Sequence, residues 1–190
     1  MLVNRTWMAS LAVILAAMLA GMAPARADQR DPGLPGLFER LMNAELQQDE
    51  ARAIEGQIWN LWQPSGSATT DLLLSRVDMF MREQAADKAI SLLNEVVSLS
   101  PEYAEGWNKR ATAYYMRENY KAALMDVERT LRLEPRHFGA WSGLGTILQA
   151  MGEDARALQA YKRALKINPH LSGIAKEAAL LELSVKGRGI

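Results

Sequence analysis

The side chains that could carry out catalysis or bind a metal are few in this chain. Its 190 residues include no cysteine and two histidines, His137 and His170. The lack of cysteine excludes disulfides, thiolate catalysis and cysteine-based zinc sites. Two histidines are too few for a HExxH zinc helix or a Ser-His-Asp triad, and without a nearby carboxylate cluster they make a weak metal site. A metal-binding pair is one interpretation; the simpler one is that both are polar residues of turns.

Three short segments resemble catalytic or phosphate-binding motifs only in part. Residues 65–67, Ser-Gly-Ser, lack the flanking glycines and the preceding strand of a nucleophile elbow. The glycine-rich segment 139–145 falls at the start of a predicted helix, and no strand precedes it as in a phosphate-binding loop. The neighbouring acids at 153–154 are more typical of a solvated turn than of a catalytic pair. We therefore predict that the protein is not an enzyme and uses no metal or cofactor.

The first 27 residues have the pattern of an export signal. Arg5 and the amino terminus form a short cationic start, residues 11–23 are an almost unbroken apolar run, and residues 25–27 are Ala-Arg-Ala. An uncleaved membrane anchor is the alternative, but the apolar run is shorter than the roughly 20 residues that a spanning helix needs. We expect cleavage after Ala27, with no cysteine to carry a lipid, and export to the periplasm.

The charge of the predicted mature chain, residues 28–190, is close to neutral. The full chain has 22 basic and 22 acidic residues, and cleavage removes Arg5 and Arg26, which leaves 20 − 22 = −2. This balance gives no reason to expect nucleic acid or an anionic membrane surface as a partner. The mature length suits one domain with a sizeable core.

A period of 34 residues organises most of the mature chain. The prolines that close three segments and the alanines twelve positions before them recur at this spacing: Pro101, Pro135 and Pro169, and Ala89, Ala123 and Ala157. A fixed period of this length predicts stacked helical hairpins at residues 70–103, 104–137 and 138–171. Each hairpin needs its neighbours, because single helices of about 14 residues are marginal in water.

The three segments resemble the tetratricopeptide repeat (TPR) family, whose pattern is W-x2-L-G-x2-Y, then A-x3-F, then P. The third segment matches it most closely, with Trp141-x2-Leu144-Gly145, Ala157-x3-Tyr161 and Pro169. The resemblance implies an all-α solenoid, a right-handed superhelix in which the first helix of each repeat (helix A) lines a concave groove that binds polypeptides. Gly145 and the alanines of the pattern would let helix A and helix B of one repeat cross closely.

The segments that flank the repeats are predicted to protect the two ends of the stack. Residues 28–36 read as a flexible leader, and residues 37–62 as a helical hairpin that is either an amino-terminal cap or a degenerate repeat. Residues 172–185 predict a capping helix with one apolar stripe, formed by Ile174, Ala178, Leu181 and Val185. Residues 186–190 are expected to fray.

The resemblance also implies which residues line the groove. The first repeat would offer Asp71, Leu74, Asp78 and Arg82; the second Glu105, Asn108, Lys109, Thr112, Tyr115 and Met116; the third Ser142, Thr146 and Gln149, with small neighbours at Gly139 and Gly143. We expect Asn108, Lys109 and Tyr115 to be the central anchors for an extended peptide or a partner helix. The alternative is that these residues are simply solvated, or that the carboxy-terminal helix partly fills the groove.

Two further features bear on the partner. TPR proteins that hold the carboxylate end of chaperone tails use a basic residue and an asparagine where this chain has Leu74 and Asp78, so we expect no such tail as a ligand. Trp59 and Trp62 share a helix face. We expect them to be buried against the first repeat; an exposed pair would instead be a secondary binding surface.

Three functions follow from these observations. The first is a non-enzymatic scaffold or adaptor of the cell envelope that binds a peptide or partner helix in its groove. The second is an accessory subunit of an envelope enzyme or of a secretion or assembly complex, which stable co-purification at fixed stoichiometry would favour. The third is an enzyme in its own right, which the absence of catalytic motifs disfavours.

Overall fold

Residues 31–187 are described by the structure, a computed structural model, and this part of the chain is entirely helical, without strands. The helices are α1 (Leu34–Leu41), α2 (Gln48–Trp62), α3 (Ala68–Arg82), α4 (Ala86–Leu99), α5 (Ala104–Met116), α6 (Tyr120–Leu133), α7 (Phe138–Ala150), α8 (Asp154–Ile167) and α9 (Ser172–Gly187). None of these helices is long and apolar enough to span a bilayer. The predicted signal peptide, residues 1–27, lies outside the described residues, as do residues 188–190.

The six central helices form the predicted helical hairpins, which confirms the all-α solenoid. Helices α5 and α7 begin at Ala104 and Phe138, the first residues of the second and third predicted repeats. Helix α3 begins at Ala68, two residues before the first predicted repeat. The reason is a cap: the Ser67 hydroxyl accepts a hydrogen bond from the Thr70 backbone N–H at 3.4 Å, so the helix starts directly after Ser67.

The turn between the two helices of each repeat has a left-handed residue at the same position. Its φ is 56° at Gln84 and Glu118 and 78° at Gly152. The following N–H then bonds back into the preceding helix, as between Asn119 N and Tyr114 O at 2.9 Å. This is the closing bond of a Schellman turn, which favours glycine at the left-handed position.

Exchanging residues at this turn position is expected to change stability in opposite directions. The left-handed backbone conformation costs a residue with a side chain about 1 kcal/mol, and glycine avoids this cost. Glu118→Gly therefore removes the strain, and Gly152→Ala introduces it. We therefore expect the free energy of unfolding to rise slightly in the first variant and to fall by about 1 kcal/mol in the second. Urea denaturation of the two variants checks this, and equal losses in both would contradict it.

Small residues allow the two helices of a repeat to approach closely, as the sequence predicts. A Cβ added at Gly145 would lie 2.3 Å from the Tyr161 ring. Ala111, Ala123 and Ala157 occupy related positions in the second and third repeats and are buried. The repeat cores therefore depend on side-chain size at these positions.

The amino-terminal hairpin, α1 and α2, lies along the turns between repeats and not on the end of the first repeat. Four contacts between the hairpin and the stack define its path. Near the carboxy-terminal end of the stack, His170 Nε2 donates to Asn43 O at 3.0 Å, and Asn168 Nδ2 donates to Glu55 Oε1 at 2.7 Å. Further along, Trp62 stacks on His137, and Tyr103 Oη donates to Gln63 O at 2.5 Å. The hairpin thus runs beside the stack of repeats, from the carboxy-terminal end of the stack to the first repeat. Burial raises the pKa of the Tyr103 hydroxyl, which keeps it a neutral donor.

Three expectations about the flanking segments need correction. Helix α1 begins at Leu34, inside the predicted leader 28–36, because Leu34 is fully buried in the cluster formed by α1, α2 and Phe138. Trp59 and Trp62 belong to this same cluster and not to a contact with the first repeat. At the other end, α9 extends to Gly187, so the first two residues of the predicted frayed tail are helical.

Helix α9 packs on α8 through its predicted apolar stripe. Ala178 and Leu181 are buried in a cluster with Tyr161, and Ile174 packs against that cluster. Lys162 Nζ lies 3.1 Å from Glu182 Oε1, and this contact lowers the pKa of the Glu182 carboxyl. The last repeat is therefore covered on its carboxy-terminal side by α9.

Candidate functional site

A hollow of about 220 Å³ lies between the facing sides of α5 and α7. It is lined by residues of the second and third repeats: Asn108, Ala111, Thr112, Tyr115, Val127, Gly139, Gly143, Thr146 and Ile147. Helical periodicity explains the set, because residues three or four apart project from one face of a helix. Among the lining residues, none comes from α9, so that helix does not fill this part of the groove.

The hollow has an apolar floor and an uncharged polar rim. Ala111, Val127 and Ile147 form the floor and belong to the buried core of the two repeats. Thr112 and Thr146 on the rim use their hydroxyls to bond Asn108 O and Ser142 O within their own helices. The floor is therefore fixed by the fold, while the rim offers polar groups to a ligand.

Two rim side chains keep hydrogen-bonding capacity free. Asn108 donates one amide N–H to Glu105 Oε2 at 2.9 Å, and its Oδ1 accepts no bond from the described residues. The Tyr115 hydroxyl likewise makes no hydrogen bond within the described part of the chain, while its ring lies 5.7 Å from that of Tyr120. Both side chains can therefore bond a ligand without breaking an internal contact.

A charged cluster adjoins the hollow on the side of the first repeat. Lys109 Nζ lies 2.7 Å from Asp78 Oδ1 and 4.0 Å from Glu105 Oε1. The predicted cationic anchor is therefore already engaged by two carboxylates. Asp78 retains 45% of its side-chain exposure, so it can still face a ligand.

His137 connects this cluster to the amino-terminal hairpin. Its Nδ1 accepts a hydrogen bond from Ala140 N at 3.0 Å and so caps α7, and its Nε2 donates to Glu105 Oε2 at 3.1 Å. The ring stacks on Trp62 with 4.5 Å between centroids. The simpler interpretation of the sequence, a polar turn residue, does not include this role for His137; the signal for it is the position of His137 directly before a helix.

The other predicted groove residues fall into two groups. The first group is buried: Leu74 lies in the core of the first repeat, and Glu105 lies beneath His137. Because other side chains already surround these two residues, neither can contact a ligand. The remaining ones lie outside the hollow: Asp71 accepts a bond from Ser65 N at 2.8 Å, Ser142 donates to Phe138 O, Gln149 accepts from Tyr161, and Arg82 and Met116 are exposed.

The tryptophans of α2 are not an exposed platform. Trp62 is 2% exposed and its indole N–H finds no acceptor among the described residues. Trp59 is half-buried and its ring covers Gly139, where an added Cβ would meet it at 3.1 Å. Because Gly139 also lines the hollow, Trp59 borders the groove at this point. The groove and the hairpin are thus adjacent parts of one surface.

A second, shallower hollow of about 520 Å³ lies on the opposite side of α7, over Trp141, Leu144 and Ala160. In the second repeat the corresponding space is filled by a salt bridge, in which Arg110 Nε lies 2.7 Å from Asp126 Oδ2. Arg110 and Asp126 are replaced 34 positions later by Leu144 and Ala160. The second hollow is therefore the space that this ion pair leaves.

Comparisons with known proteins agree with the repeat architecture. Tetratricopeptide repeat family models match residues 74–130 and 139–171. A TPR repeat-containing protein of Rhizobium etli is 41% identical over 136 residues, which cover 72% of this chain and 66% of that protein. A heat-shock cognate co-chaperone, sgt12, of Aspergillus fumigatus is 26% identical over 133 residues; the match covers 68% of this chain but 39% of that protein.

Solved TPR domains share the fold at low sequence identity. The Sgt2 TPR domain from Aspergillus fumigatus superposes with a TM-score of 0.62 at 22% identity and covers 65% of this chain and 83% of that one. The first TPR of Spaghetti (RPAP3), bound to an HSP90 peptide, has a TM-score of 0.60 at 19% identity and covers 62% and 93%. With the repeat pattern, the helical hairpins and the family matches in agreement, this chain belongs to the tetratricopeptide repeat family.

Proposed function

We propose that this chain is a non-enzymatic interaction module that holds an extended segment of a partner protein in the groove between α5 and α7. The observation that carries the proposal is the combination of an apolar hollow with two uncommitted polar groups, Asn108 Oδ1 and the Tyr115 hydroxyl. An extended peptide presents backbone N–H and C=O groups beside its side chains. Asn108 can accept from or donate to that backbone, and Tyr115 can do either as well.

Similar domains support this use of the groove. The first TPR of Spaghetti (RPAP3) is bound to an HSP90 peptide, and the second TPR domain of human RPAP3 is in complex with an HSP70 peptide. This chain differs from TPR proteins that hold the carboxylate end of chaperone tails, because it has the buried Leu74 and the acidic Asp78 where they use a basic residue and an asparagine. We therefore propose a peptide ligand that is not recognised by its terminal carboxylate.

The amino-terminal hairpin supports binding by fixing the curvature of the stack. Its contacts reach Tyr103, His137 and Asn168, one residue in or beside the turn that ends each repeat. A solenoid in which each unit touches only its neighbours can flex along its length. Contacts from one rigid hairpin to successive turns restrict that motion, so less ordering is required when a peptide binds.

We propose further that the mature protein begins at Asp28 and works in the bacterial cell envelope. The cationic start, apolar run and Ala-Arg-Ala sequence of residues 1–27 support this proposal. Amino-terminal sequencing of the protein purified from fractionated cells tests it. A mature start at Asp28 in the periplasmic fraction is the expected result, and an intact Met1 in the cytoplasmic fraction would contradict it.

Removing the Tyr115 hydroxyl is expected to weaken peptide binding without affecting the fold. Nonapeptides selected from a random phage-displayed library are titrated into the wild type and into Tyr115→Phe, and binding is measured by calorimetry. One hydrogen bond contributes about 0.5 to 1.5 kcal/mol, which corresponds to a loss of affinity of roughly three- to tenfold. The fold should be unaffected because the hydroxyl has no partner in the described part of the chain.

Tyr120→Phe is the matched control, since Tyr120 contacts the Tyr115 ring but does not line the hollow. Its affinity should equal that of the wild type. Amide shifts in ¹⁵N spectra should be largest at Asn108, Thr112 and Thr146. Shifts confined to other surfaces, or the failure of the library to yield any binder, would contradict the proposed function.

A further inference from the structure

The hollow between α5 and α7 is suited to one chemical class of side chain. Its lining includes no aspartate, glutamate, lysine or arginine. A charged group placed there would lose its hydration without gaining a partner, whereas an apolar group would leave water for an apolar floor. A volume of about 220 Å³ accommodates a side chain of the size of leucine, methionine or phenylalanine.

The charged groups beside the hollow favour a cation on the ligand. Lys109 is held between Asp78 and Glu105 and presents no unpaired positive charge. Asp78 is nearly half exposed, and Asp71, on the same face of α3, is exposed as well. Arg82 lies one turn further along α3 from Asp78. Two carboxylates face the one ammonium group of Lys109, so a lysine or arginine of a ligand gains an attraction at the exposed side of Asp78. A glutamate at the same point is repelled by Asp78, and Arg82 is a full turn away.

The distance between these two features sets a spacing on the ligand. The hollow lies between α5 and α7, and the Asp78–Lys109 pair bridges α3 and α5. Closely packed helices lie about 8 to 10 Å apart, and α3, α5 and α7, which touch one another little, are at least this far apart. An extended peptide advances about 3.3 Å per residue, so it crosses from one inter-helix space to the next in at least about three residues.

We propose, building on the proposed function, that the groove recognises extended peptides carrying a bulky apolar side chain and, about three residues away, a lysine or arginine. The apolar side chain occupies the hollow over Ala111, Val127 and Ile147. The basic side chain pairs with Asp78. Acidic peptides, including those with a free carboxylate at the recognition point, are rejected.

Fluorescein-labelled nonapeptides in a Ser-Gly frame test this specificity by fluorescence anisotropy. The parent peptides place leucine and arginine three residues apart, in both orders; one derivative has serine for leucine and another has glutamate for arginine. Loss of leucine should weaken binding roughly ten- to a hundredfold, as expected for the loss of one buried aliphatic side chain. The change from arginine to glutamate should weaken binding about tenfold.

Gly143→Leu provides the matching change in the protein. A Cβ added at Gly143 meets nothing within 4 Å, so the helix tolerates a side chain there, but leucine would occupy the hollow. We expect binding of the parent peptide to fall by about the factor seen when the peptide loses its leucine. Gly56→Leu is the control, because a Cβ on Gly56 of α2 also meets nothing and this residue does not line the hollow.

Asp78→Asn tests the electrostatic part. The preference for arginine over glutamate should shrink toward equality, because the exposed carboxylate is lost and Lys109 keeps Glu105 alone at 4.0 Å. Circular dichroism verifies that each variant is folded. If Gly143→Leu is not, Gly143→Ala takes its place and puts a smaller side chain in the hollow.

The possible results separate this inference from the proposed function. Suppose that library-selected peptides shift the amides of Asn108 and Thr146, so that the groove does bind peptides. The inference is then wrong if these peptides lack an apolar residue, if they prefer glutamate, or if they bind Gly143→Leu as well as the wild type. If no peptide shifts these amides, both are wrong. Tight binding of the parent peptides, lost with Gly143→Leu and retained with Gly56→Leu, supports both.

Discussion

Replacing Trp62 with alanine should lower the free energy of unfolding by about 3 to 5 kcal/mol, the usual cost of removing a buried aromatic side chain. Trp62 is 2% exposed and its ring contacts Phe38, Trp59, His137 and Phe138. Trp62 joins the hairpin to the stack at His137 and Phe138, which Trp59 also contacts, and it packs on Phe38 of α1 as well. Its loss should detach α1 and α2 from the turns between repeats, which urea denaturation and protease sensitivity near residues 42–47 would report.

Trp62→Phe is the informative control for this prediction. A phenyl ring keeps most of the packing against His137 and Phe138, and it removes an indole N–H that is buried without an acceptor among the described residues. An unsatisfied buried donor costs about 1 to 3 kcal/mol, so its removal offsets part of the lost contact area. We expect Trp62→Phe to be clearly more stable than Trp62→Ala; equal stabilities, or an alanine variant as stable as the wild type, would show that the hairpin is not held by this ring.

Replacing Asp126 with alanine should be comparably destabilising. Asp126 and Arg110 form a two-pronged salt bridge with nitrogen to oxygen distances of 2.7 and 2.8 Å, and their side chains are 5% and 16% exposed. The hydrogen bond to Asp126 raises the pKa of the Arg110 guanidinium. Without Asp126 the partly buried Arg110 cation keeps one hydrogen bond, to Asn94, and its contacts with the rings of Trp107 and Tyr114. Breaking a fully buried pair costs about 3 to 5 kcal/mol, so we expect a loss of about 3 kcal/mol.

The third repeat supplies the control for this second prediction. Arg110→Leu combined with Asp126→Ala reproduces the residues found there, Leu144 and Ala160. Because an ion pair can be exchanged for apolar residues at little net cost, the double variant should lose less than about 2 kcal/mol. Calorimetric melting of the single and double variants measures the difference. If the double variant is less stable than Asp126→Ala, apolar residues cannot replace the Arg110–Asp126 pair at this position, and the prediction is wrong.

The solenoid was predictable because its signals are local and repeated. The spacing of Pro101, Pro135 and Pro169 fixes where each hairpin ends, and Gly145 and Ala157 show where two helices cross. The fold of a repeat depends on neighbours in sequence. Patterns of this kind can therefore be found without knowing the rest of the structure.

The position of the amino-terminal hairpin was not predictable in the same way. Its contacts join Asn43 to His170 and Glu55 to Asn168, which are more than one hundred residues apart in the chain. An apolar helix face such as that of α2 indicates burial but not the partner. The expectation that Trp59 and Trp62 cover the first repeat was wrong for this reason.

The sequence predicts which residues of α5 share one face, but not how their charged neighbours pair. Helical spacing brings Asn108, Thr112 and Tyr115 to one face, as the structure also shows. It could not show that Lys109 is neutralised by Asp78 or that Glu105 is buried under His137, because both depend on contacts between different helices. The chemistry of a groove on a repeat protein thus depends on which of its charged residues pair with each other.

The most direct test of the groove as the binding surface is site-specific photo-crosslinking in intact cells, read out by mass spectrometry. A photoreactive amino acid is placed at Thr112, on the rim of the hollow, or at Met125, which is 69% exposed on α6 and does not line the hollow. Crosslinks from position 112 to one polypeptide, lost when Gly143→Leu is added and absent from position 125, are the predicted result. Crosslinks to the same polypeptide from position 125 but not from position 112 would place the binding surface outside the groove and contradict the account.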